Sequence, residues 1–380
     1  MDCREKRDTD IVKKARDFCA ACLEPLAGAL DKESRFPAEL VAPMAAAGFF
    51  GLPYPVEWGG GGYSSVTAQQ VMREIAKVSA GVALTFHVHW MAVDTLLRFG
   101  SEMQKQKYLP AMLRGDKIAA YTISEPQAGS DAAAITAIAV RNGDGWLLRG
   151  TKYFCTNGGL ADLYFVAFKT DPAAGGKGIS LFIIEKGTPG FQIGPAAEKM
   201  GCRSSVTTSL LFQDCPVTAE QLVGKENEGF KAAMYGLTGG RLGMASMGLG
   251  IAEAALEAAV RYANQRLAFG KSLSALYAIQ EMIADMYIKT EAARLMVAGA
   301  AGKRDSGEDY SLESSMAKLF VADVAAEVCH KAQQIFGGHG YMRHNTVERY
   351  ARDARLLSIG VGTSEVLKMV VGNLVAKSMA

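Results

Sequence analysis

The 380-residue chain is poor in cysteine, which bears on both its compartment and metal binding. Its seven cysteines are an odd number scattered along the sequence, and this does not fit the disulfide framework of a secreted protein. Cys19 and Cys22 have C-x-x-C spacing, but no second pair and no histidine lies near them in the sequence. A zinc site needs such additional ligands. We therefore expect no metal site.

The chain also lacks an excess of charge, a long apolar run and a leader sequence. Lys plus Arg number 41 and Asp plus Glu 39, so nucleic acid is not an expected partner. Residues 78–93 form an uncharged run of 16 residues, short of the roughly 20 that a membrane-spanning helix needs. Residues 1–6 are mostly charged or polar rather than an apolar signal core. These absences predict a cytoplasmic protein that does not bind a membrane.

What is present is enough chain for two or three domains, in the order helix, sheet, helix. Residues 1–117 read mainly as an α-helical domain, and residues 118–223 as a β-barrel-like domain of short apolar strands. Asn142-Gly143-Asp144-Gly145 is a hairpin signal within it. Residues 224–380 read as a bundle of long helices, an α+β fold overall. One helical face there is predicted to carry Met282, Ile283, Met286, Tyr287, Ala293 and Val297.

Two segments of the β domain have the composition of a binding site. A small-residue loop, S-E-P-Q-A-G-S-D at 124–131, follows the strand-like residues 119–123, and its N–H and hydroxyl groups could converge on an anion such as pyrophosphate. In the segment 152–159, Phe154 and Thr156 are two residues apart on a strand, so we expect both side chains on one side, at the edge of a planar ring. Taken alone, the first segment is more often just a turn, and the second is also typical of a half-buried strand that ends in a turn.

Taken together, the motifs of this chain resemble those of the acyl-CoA dehydrogenase family over essentially its whole length. The shared motifs are S-E-P-x-A-G-S-D (124–131), K-x-F-x-T-N-G-G (152–159), K-x-G-x-R-S-S (199–205), R-x-x-F-G (266–270), Q-x-x-G-G-x-G (334–340), R-D-A-R (352–355) and G-T-S-E (362–365). The resemblance implies an N-terminal helical domain, a central β domain and a C-terminal four-helix bundle. It also implies a FAD enzyme, commonly a homotetramer, that dehydrogenates an acyl-CoA and passes electrons to an electron-transferring flavoprotein or a similar acceptor.

The resemblance assigns roles to individual residues. Ser124 would bond the flavin pyrimidine edge, Thr156 the flavin N5, and Phe154 would stack near the ring. The other implied FAD contacts, several of them to the cofactor of a neighbouring subunit, are Ser130, Arg266, Phe269, Gln334, Gly337, Gly338, Thr363 and Glu365. The implied substrate contacts are Ser130, Thr238, Arg241, Met91 and Gly362. Tyr277 departs from the family, in which a glutamine often lies near the adenine.

The chain departs from the family pattern at the position of the catalytic base. The family usually places a glutamate immediately before G-T, or in a minority of members before the arginine that is here Arg241. This chain has Val361 and Gly240 at those positions, so both are vacant. The Val361 N–H would still contact the thioester oxygen. Three interpretations remain open: a base elsewhere in the pocket, other flavin chemistry including acyl-CoA reduction, or a flavin-binding protein without catalysis.

The first interpretation resembles family members that dehydrogenate alicyclic thioesters such as cyclohex-1-ene-1-carboxyl-CoA, where a residue deeper in the pocket takes the proton. In this chain the corresponding helix, residues 79–98, carries His87, His89 and Asp94 as candidate bases. At about 100° per residue, His87 and His89 point about 160° apart, so at most one of them faces the flavin. We favour His87, which shares a face with Met91. No arginine lies between residues 78 and 97 to clamp a distal carboxylate.

Overall fold

A computed structural model describes residues 3–379, and its first part is helical. Three of these helices begin at serine caps: Ser64, Ser79 and Ser101 accept hydrogen bonds from backbone N–H groups of the first turn, which satisfies donors that the helix leaves free. A short π-helical stretch, Cys19–Leu23, joins the first two helices. The helices are α1 Cys3–Phe18, α2 Glu24–Glu33, α3 Val41–Ala46, α4 Ser65–Val78, α5 Ala80–Phe99 and α6 Glu102–Arg114.

The middle of the chain forms one eight-stranded sheet. The strands are β1 Ala119–Thr122, β2 Ile138–Asn142, β3 Gly145–Thr156, β4 Leu163–Lys169, β5 Ile179–Glu185, β6 Phe191–Ala196, β7 Thr207–Val217 and β8 Leu222–Val223. Their order in the sheet is β6-β7-β3-β2-β4-β5-β8, and β1 pairs in parallel with β4. The predicted hairpin is confirmed: β2 and β3 pair antiparallel, with Asn142 opposite Gly145 and Gly143 at φ +59° in the turn.

The last part of the chain is again helical. Its elements are α7 Gly229–Gln265, β9 Leu267–Ala268, β10 Lys271–Ser272, α8 Tyr277–Asp305, α9 Ser311–Phe336, α10 Thr346–Ala354 and α11 Ser364–Ser378. Of the helical face predicted on α8, Met286, Ala293 and Val297 are buried, but Tyr287 is 57% exposed, so the predicted face is not buried throughout. Tyr287 follows Met286 by one residue, and the 100° step carries it off the buried face.

The helix–sheet–helix order and the fold class expected from the sequence are confirmed. Our domain boundaries at 117/118 and 223/224 remain proposals; they fall between α6 and β1 and between β8 and α7. Within residues 3–379, α7 is the one helix long and apolar enough to cross a membrane by length and composition. Of its most apolar window, 89% is buried in the protein, which is typical of a core helix.

Two helices in the core position the candidate site. Nearly all of α5 is buried, from Ala80 to Leu96, and it packs against α7. The contact is made by glycines of α7, since Cβ atoms built at Gly239, Gly240 and Gly243 would approach Asp94, Met91 and His87 within 3 Å. Glycine is required there because any larger residue would displace the α5 side chains. The polar residues of α5 therefore lie directly against the middle of α7.

Candidate functional site

The loop at 124–131 is held from behind by a buried ion pair. Lys152 Nζ lies 2.6 Å from Glu125 Oε1, and both side chains are at most 1% exposed. Glu125 also accepts hydrogen bonds from the backbone N–H groups of Thr136 and Ala137. Burial lowers the pKa of Lys152 to about 8, and the Glu125 charge offsets part of that effect. The pair fixes the loop while leaving its outer residues accessible.

Breaking this pair has a predictable cost. We expect Lys152→Met to destabilise the protein by about 3 kcal/mol, the lower end for removing one partner of a buried pair, because the N–H donors on Glu125 remain. Chemical denaturation would measure the loss, and gel filtration would measure retained flavin.

The matched control for Lys152→Met is the double variant Glu125→Gln/Lys152→Met, which leaves no uncompensated charge and should recover part of the stability. A single variant as stable as the parent would contradict the role given to the pair.

The end of β3 brings the second motif to α5. Asn157 is fully buried, and its Nδ2 donates to the carbonyls of Thr85 and Ala119, which ties Thr156 to the helix two residues before His87. The expectation that Phe154 and Thr156 project to one side assumes a regular strand, and β3 is not regular at Phe154. Phe154 has φ +55° within a register shift of the β3–β7 pairing, and such an irregularity interrupts the alternation of side chains.

The hydroxyl groups expected at the flavin are free to take a ligand. Ser124, Ser130 and Thr156 make no side-chain hydrogen bond to any residue in the range 3–379, and Ser124 and Thr156 are half-buried. Phe154 is 69% exposed. Unpaired hydroxyls beside an exposed aromatic ring fit the polar edge and flat face of a flavin. Thr363, by contrast, already caps α11 through Val366 N–H, and Glu365 is exposed.

The residues expected at the adenosine end lie on the outside of the chain. Phe269 is 90% exposed in the β9–β10 turn, and Tyr277 is 83% exposed at the start of α8. The other four of this set are also exposed or lie at the surface: Arg266, Gln334, Gly337 and Gly338. Exposed aromatic and cationic groups of this kind can contact a ligand that is bound mainly by another molecule.

The two vacant base positions lie against each other. A Cβ built on Gly240 would be 3.0 Å from Val361 Cγ1 and 2.9 Å from Met91 Sδ. Although they are 121 positions apart in the sequence, Gly240 and Val361 therefore line one small region with Met91. Val361 has φ +56° and Gly362 φ +96°, a left-handed turn that is costly for a β-branched residue. This turn carries the N–H group expected to bind a thioester oxygen.

His89 is committed to the backbone. Its Nδ1 accepts from Ala119 N–H at 3.1 Å, and its Nε2 lies 3.1 Å from the Met112 carbonyl. These bonds assign the proton to Nε2 and leave neither ring nitrogen for proton transfer. These bonds favour His87 and Asp94 over His89, whose role as a base stays a prediction. Sequence could not show this, because both partners lie on other elements.

Asp94 is paired with a cation that the sequence reasoning missed. Arg304, at the end of α8, lies 2.7 Å from Asp94 Oδ1, and both groups are largely buried. Burial raises the pKa of Asp94, and the Arg304 charge offsets part of the rise. The hydroxyl of Tyr54 donates to the Trp90 carbonyl nearby. Asp94 thus lies in a polar cluster on the α5 turn beyond Met91, where its charge is balanced.

His87 is the unpartnered candidate. Both its ring nitrogens are buried and make no hydrogen bond to any residue from 3 to 379, and Nδ1 lies 2.5 Å from the place where a Cβ on Gly243 would be. Burial lowers the pKa of His87 to about 4, so the imidazole is neutral at physiological pH. An imidazole without a partner in the core is costly. It lies one turn from Met91 and hence next to the vacant base positions.

Sequence reasoning also missed a buried lysine on α9. Lys318 is 1% exposed, and its Nζ donates to the Gly362 carbonyl at 2.6 Å. Arg241, which the resemblance placed in the substrate site, is buried and donates through Nη1 to Ser315 Oγ at 3.1 Å. The available signal for Lys318 was its place after small and apolar neighbours on α9, of which Ser314, Ser315 and Ala317 are buried.

Comparison with known proteins agrees with this geometry. Three family descriptions match: "Acyl-CoA dehydrogenase, N-terminal domain" at residues 5–116, "middle domain" at 120–215 and "C-terminal domain" at 227–376. The chain is 42% identical to the short-chain specific acyl-CoA dehydrogenase of Clostridium acetobutylicum, covering 98% of both chains. It is 41% identical to the acryloyl-CoA reductase (NADH) of Anaerotignum propionicum, covering 99% of this chain and 96% of that one.

A solved structure agrees as closely. The butyryl-CoA dehydrogenase of Megasphaera elsdenii superposes with a TM-score of 0.96 at 41% identity, covering 97% of this chain and 98% of that one. The fold and site define a flavin-dependent oxidoreductase. The chain belongs to the acyl-CoA dehydrogenase family, and its cofactor is FAD.

Proposed function

We propose that the protein dehydrogenates an atypical CoA thioester, alicyclic or unsaturated, such as cyclohex-1-ene-1-carboxyl-CoA. The observation that carries the proposal is that Gly240 and Val361 lie side by side, so both usual base positions fall in one region and neither carries a carboxylate. FAD, when bound, accepts hydride at its N5. The Val361 N–H would bind the thioester oxygen and stabilise charge that develops on it. Ordinary α-proton abstraction from a saturated straight chain lacks its base here.

Proton transfer is assigned to α5. His87 supports this role because its ring nitrogens are free and its face continues into Met91. Asp94 is the second candidate, since it lies one turn beyond Met91, but its charge is already balanced by Arg304. A ring carbon of an alicyclic acyl group reaches farther into the pocket than the α carbon, so a base on α5 suits such a substrate better than a straight chain.

The reverse reaction is the alternative. The acryloyl-CoA reductase similarity supports it, and the same residues would then deliver a proton to the acyl group. A flavin-binding relative without catalysis is the third possibility. We further propose a homotetramer that uses an electron-transferring flavoprotein or a similar acceptor in the cytoplasm, with Arg266, Phe269 and Gln334 completing a neighbour's FAD site.

The proposal is tested by anaerobic bleaching of the purified protein. The flavin absorbance is followed after a CoA thioester is added in the absence of oxygen. The thioesters form matched sets with linear, branched and alicyclic acyl groups, each saturated or partly unsaturated. We expect rapid bleaching with an alicyclic thioester and slow or no bleaching with butyryl-CoA. For the reductase alternative, chemically reduced protein is mixed with the enoyl thioesters and reoxidation is followed. Equal inertness to all of them would refute both catalytic proposals.

The shared cofactor site makes a separate prediction. Arg266→Ala is expected to weaken FAD retention and assembly together, by about 1.5–3 kcal/mol, as for a lost charge-assisted hydrogen bond. Sedimentation and flavin content would be measured on the same samples. Lys271→Ala in the same turn is the control, since Lys271 lies outside the R-x-x-F-G motif. An Arg266→Ala monomer that keeps its full flavin content would disprove the shared site.

A further inference from the structure

Two buried cations lie beside the vacant base positions without a carboxylate partner. Among residues 3–379, Ser315 is the one hydrogen-bond partner of the Arg241 side chain, and the Arg241 Nε is buried without a partner. The Lys318 ammonium donates to the Gly362 carbonyl. No carboxylate of these residues lies within ion-pair distance of either group. Burial lowers the pKa of both cations, that of Lys318 to about 8, where the charges of Glu365 and Asp323 offset part of the fall.

Each of the two cations lies next to one of the positions, Gly240 and Val361, at which the family carries its catalytic glutamate. Arg241 directly follows Gly240 on α7, and the Lys318 ammonium binds the carbonyl of the residue that directly follows Val361. Ser315 and Lys318 are three residues apart on α9, so the two cations approach the same face of that helix. A Cβ atom built on Gly240 would lie 3.0 Å from Val361 Cγ1. The cations therefore border the region where a glutamate side chain at either position would carry its negative charge.

Uncompensated buried cations are unfavourable. The free-energy cost of taking a charge out of water is offset only by a well-placed opposite charge and further hydrogen bonds. The Gly362 carbonyl and the Ser315 hydroxyl supply only partial charges.

The other buried cations of residues 3–379 differ in their partners. Lys152 pairs with Glu125, whereas Lys169 and Arg349 donate to the backbone carbonyls of Gly175 and Val78. Arg241 and Lys318 differ from these in lying together beside the two vacant base positions, and this placement indicates that a ligand supplies the opposite charge.

We propose that Arg241 and Lys318 bind a carboxylate carried by the acyl group of the substrate, close to the thioester. The inference rests on the proposed function, because it assumes that a thioester occupies the region around Met91. The carboxylate belongs near the thioester, on the α or β carbon, because the cations flank the turn that holds the thioester oxygen. Arg304, the cation beside Asp94 farther along α5, is already paired with that carboxylate and is not free to bind a distal one. The substrate class is thus a 2- or 3-carboxyacyl-CoA.

The test uses matched thioesters that differ in one group. Methylmalonyl-CoA is paired with isobutyryl-CoA, and succinyl-CoA with butyryl-CoA, so that a carboxylate replaces a methyl group in each pair. Binding to the FAD-loaded protein is measured by perturbation of the flavin spectrum, which requires no turnover. We expect at least one carboxylated member to bind about tenfold or more tightly than its partner, as for one charge-assisted hydrogen bond. Equal or weaker binding of both carboxylated members would overturn the proposal.

Substitutions at Val361 and Arg241 test whether the preference for carboxylated thioesters arises at the proposed site. Val361→Glu places a carboxylate beside the cations and should abolish the preference, whereas Val361→Gln, of nearly the same size and uncharged, should keep it. Arg241→Gln should reduce the ratio of affinities within each pair. A preference that survives both Val361→Glu and Arg241→Gln would place the carboxylate elsewhere and overturn the assignment.

The outcomes separate this inference from the proposed function. Preferred binding of carboxylated thioesters without flavin reduction by any compound would support the anion site and count against the dehydrogenase proposal. Flavin reduction by neutral alicyclic thioesters, without any preference for carboxylated ones, would support the function and overturn the anion site.

Discussion

Val361→Glu is expected to give the protein a turnover of butyryl-CoA that the parent lacks. The substitution restores a carboxylate at the position where relatives carry their base, next to Gly240 and on the turn that binds the thioester oxygen. A positioned general base contributes about 10² to 10⁴ in rate, so flavin reduction by butyryl-CoA should rise by that factor. Stopped-flow absorbance under anaerobic conditions measures it directly.

Two controls accompany this substitution. Val361→Gln has nearly the same shape without basicity and should leave the rate at the parental level. Gly240→Glu should be less effective than Val361→Glu, because its Cβ would lie 2.9 Å from Met91 Sδ and 3.0 Å from Val361 Cγ1, and these side chains must move. Fast turnover of butyryl-CoA by the unmodified protein would mean that another base serves the α carbon.

His87→Gln is expected to lower flavin reduction by a bound alicyclic thioester by about 10² to 10⁴, the usual contribution of an acid–base group. Glutamine keeps a polar side chain of similar reach but does not titrate. Because burial lowers the pKa of His87 to about 4, the imidazole is neutral and able to accept a proton above that pH. The parental rate should therefore be flat from about pH 5 to 8 and should fall only as the pH approaches 4.

The neighbouring candidates provide the comparison. His89→Gln removes two bonds to the backbone, so it should lower the free energy of unfolding while the folded fraction keeps its rate. Asp94→Asn leaves Arg304 without its carboxylate and tests the second candidate. If His87→Gln reduces flavin at the parental rate and Asp94→Asn does not, the proton is taken by Asp94. If neither variant is impaired, the base does not lie on α5.

Much of the fold could be predicted because its signals are local. The hairpin at Asn142 depends on four adjacent residues, and the helix that begins after Ser64 depends on a cap within one turn. The order of the motifs predicted the family and its cofactor. Local reasoning failed at Phe154, where a register shift against β7 interrupts the alternation, and at Tyr287, which lies one residue beyond the buried face.

The sequence by itself determined the helix–sheet–helix order, the family, the FAD cofactor and the two vacant base positions, because motifs and periodicity are properties of neighbouring residues. Only the tertiary structure decided how the pocket residues differ. His87 and His89 are two positions apart and both buried. Within residues 3–379, the nitrogens of His89 bond to Ala119 and Met112, whereas those of His87 have no hydrogen-bond partner. Likewise, Arg304 pairs with Asp94 across 210 residues, while the Lys318 ammonium donates to the Gly362 carbonyl. Burial and hydrogen-bond partners set the charge and availability of each group, and both come from elements distant in the chain.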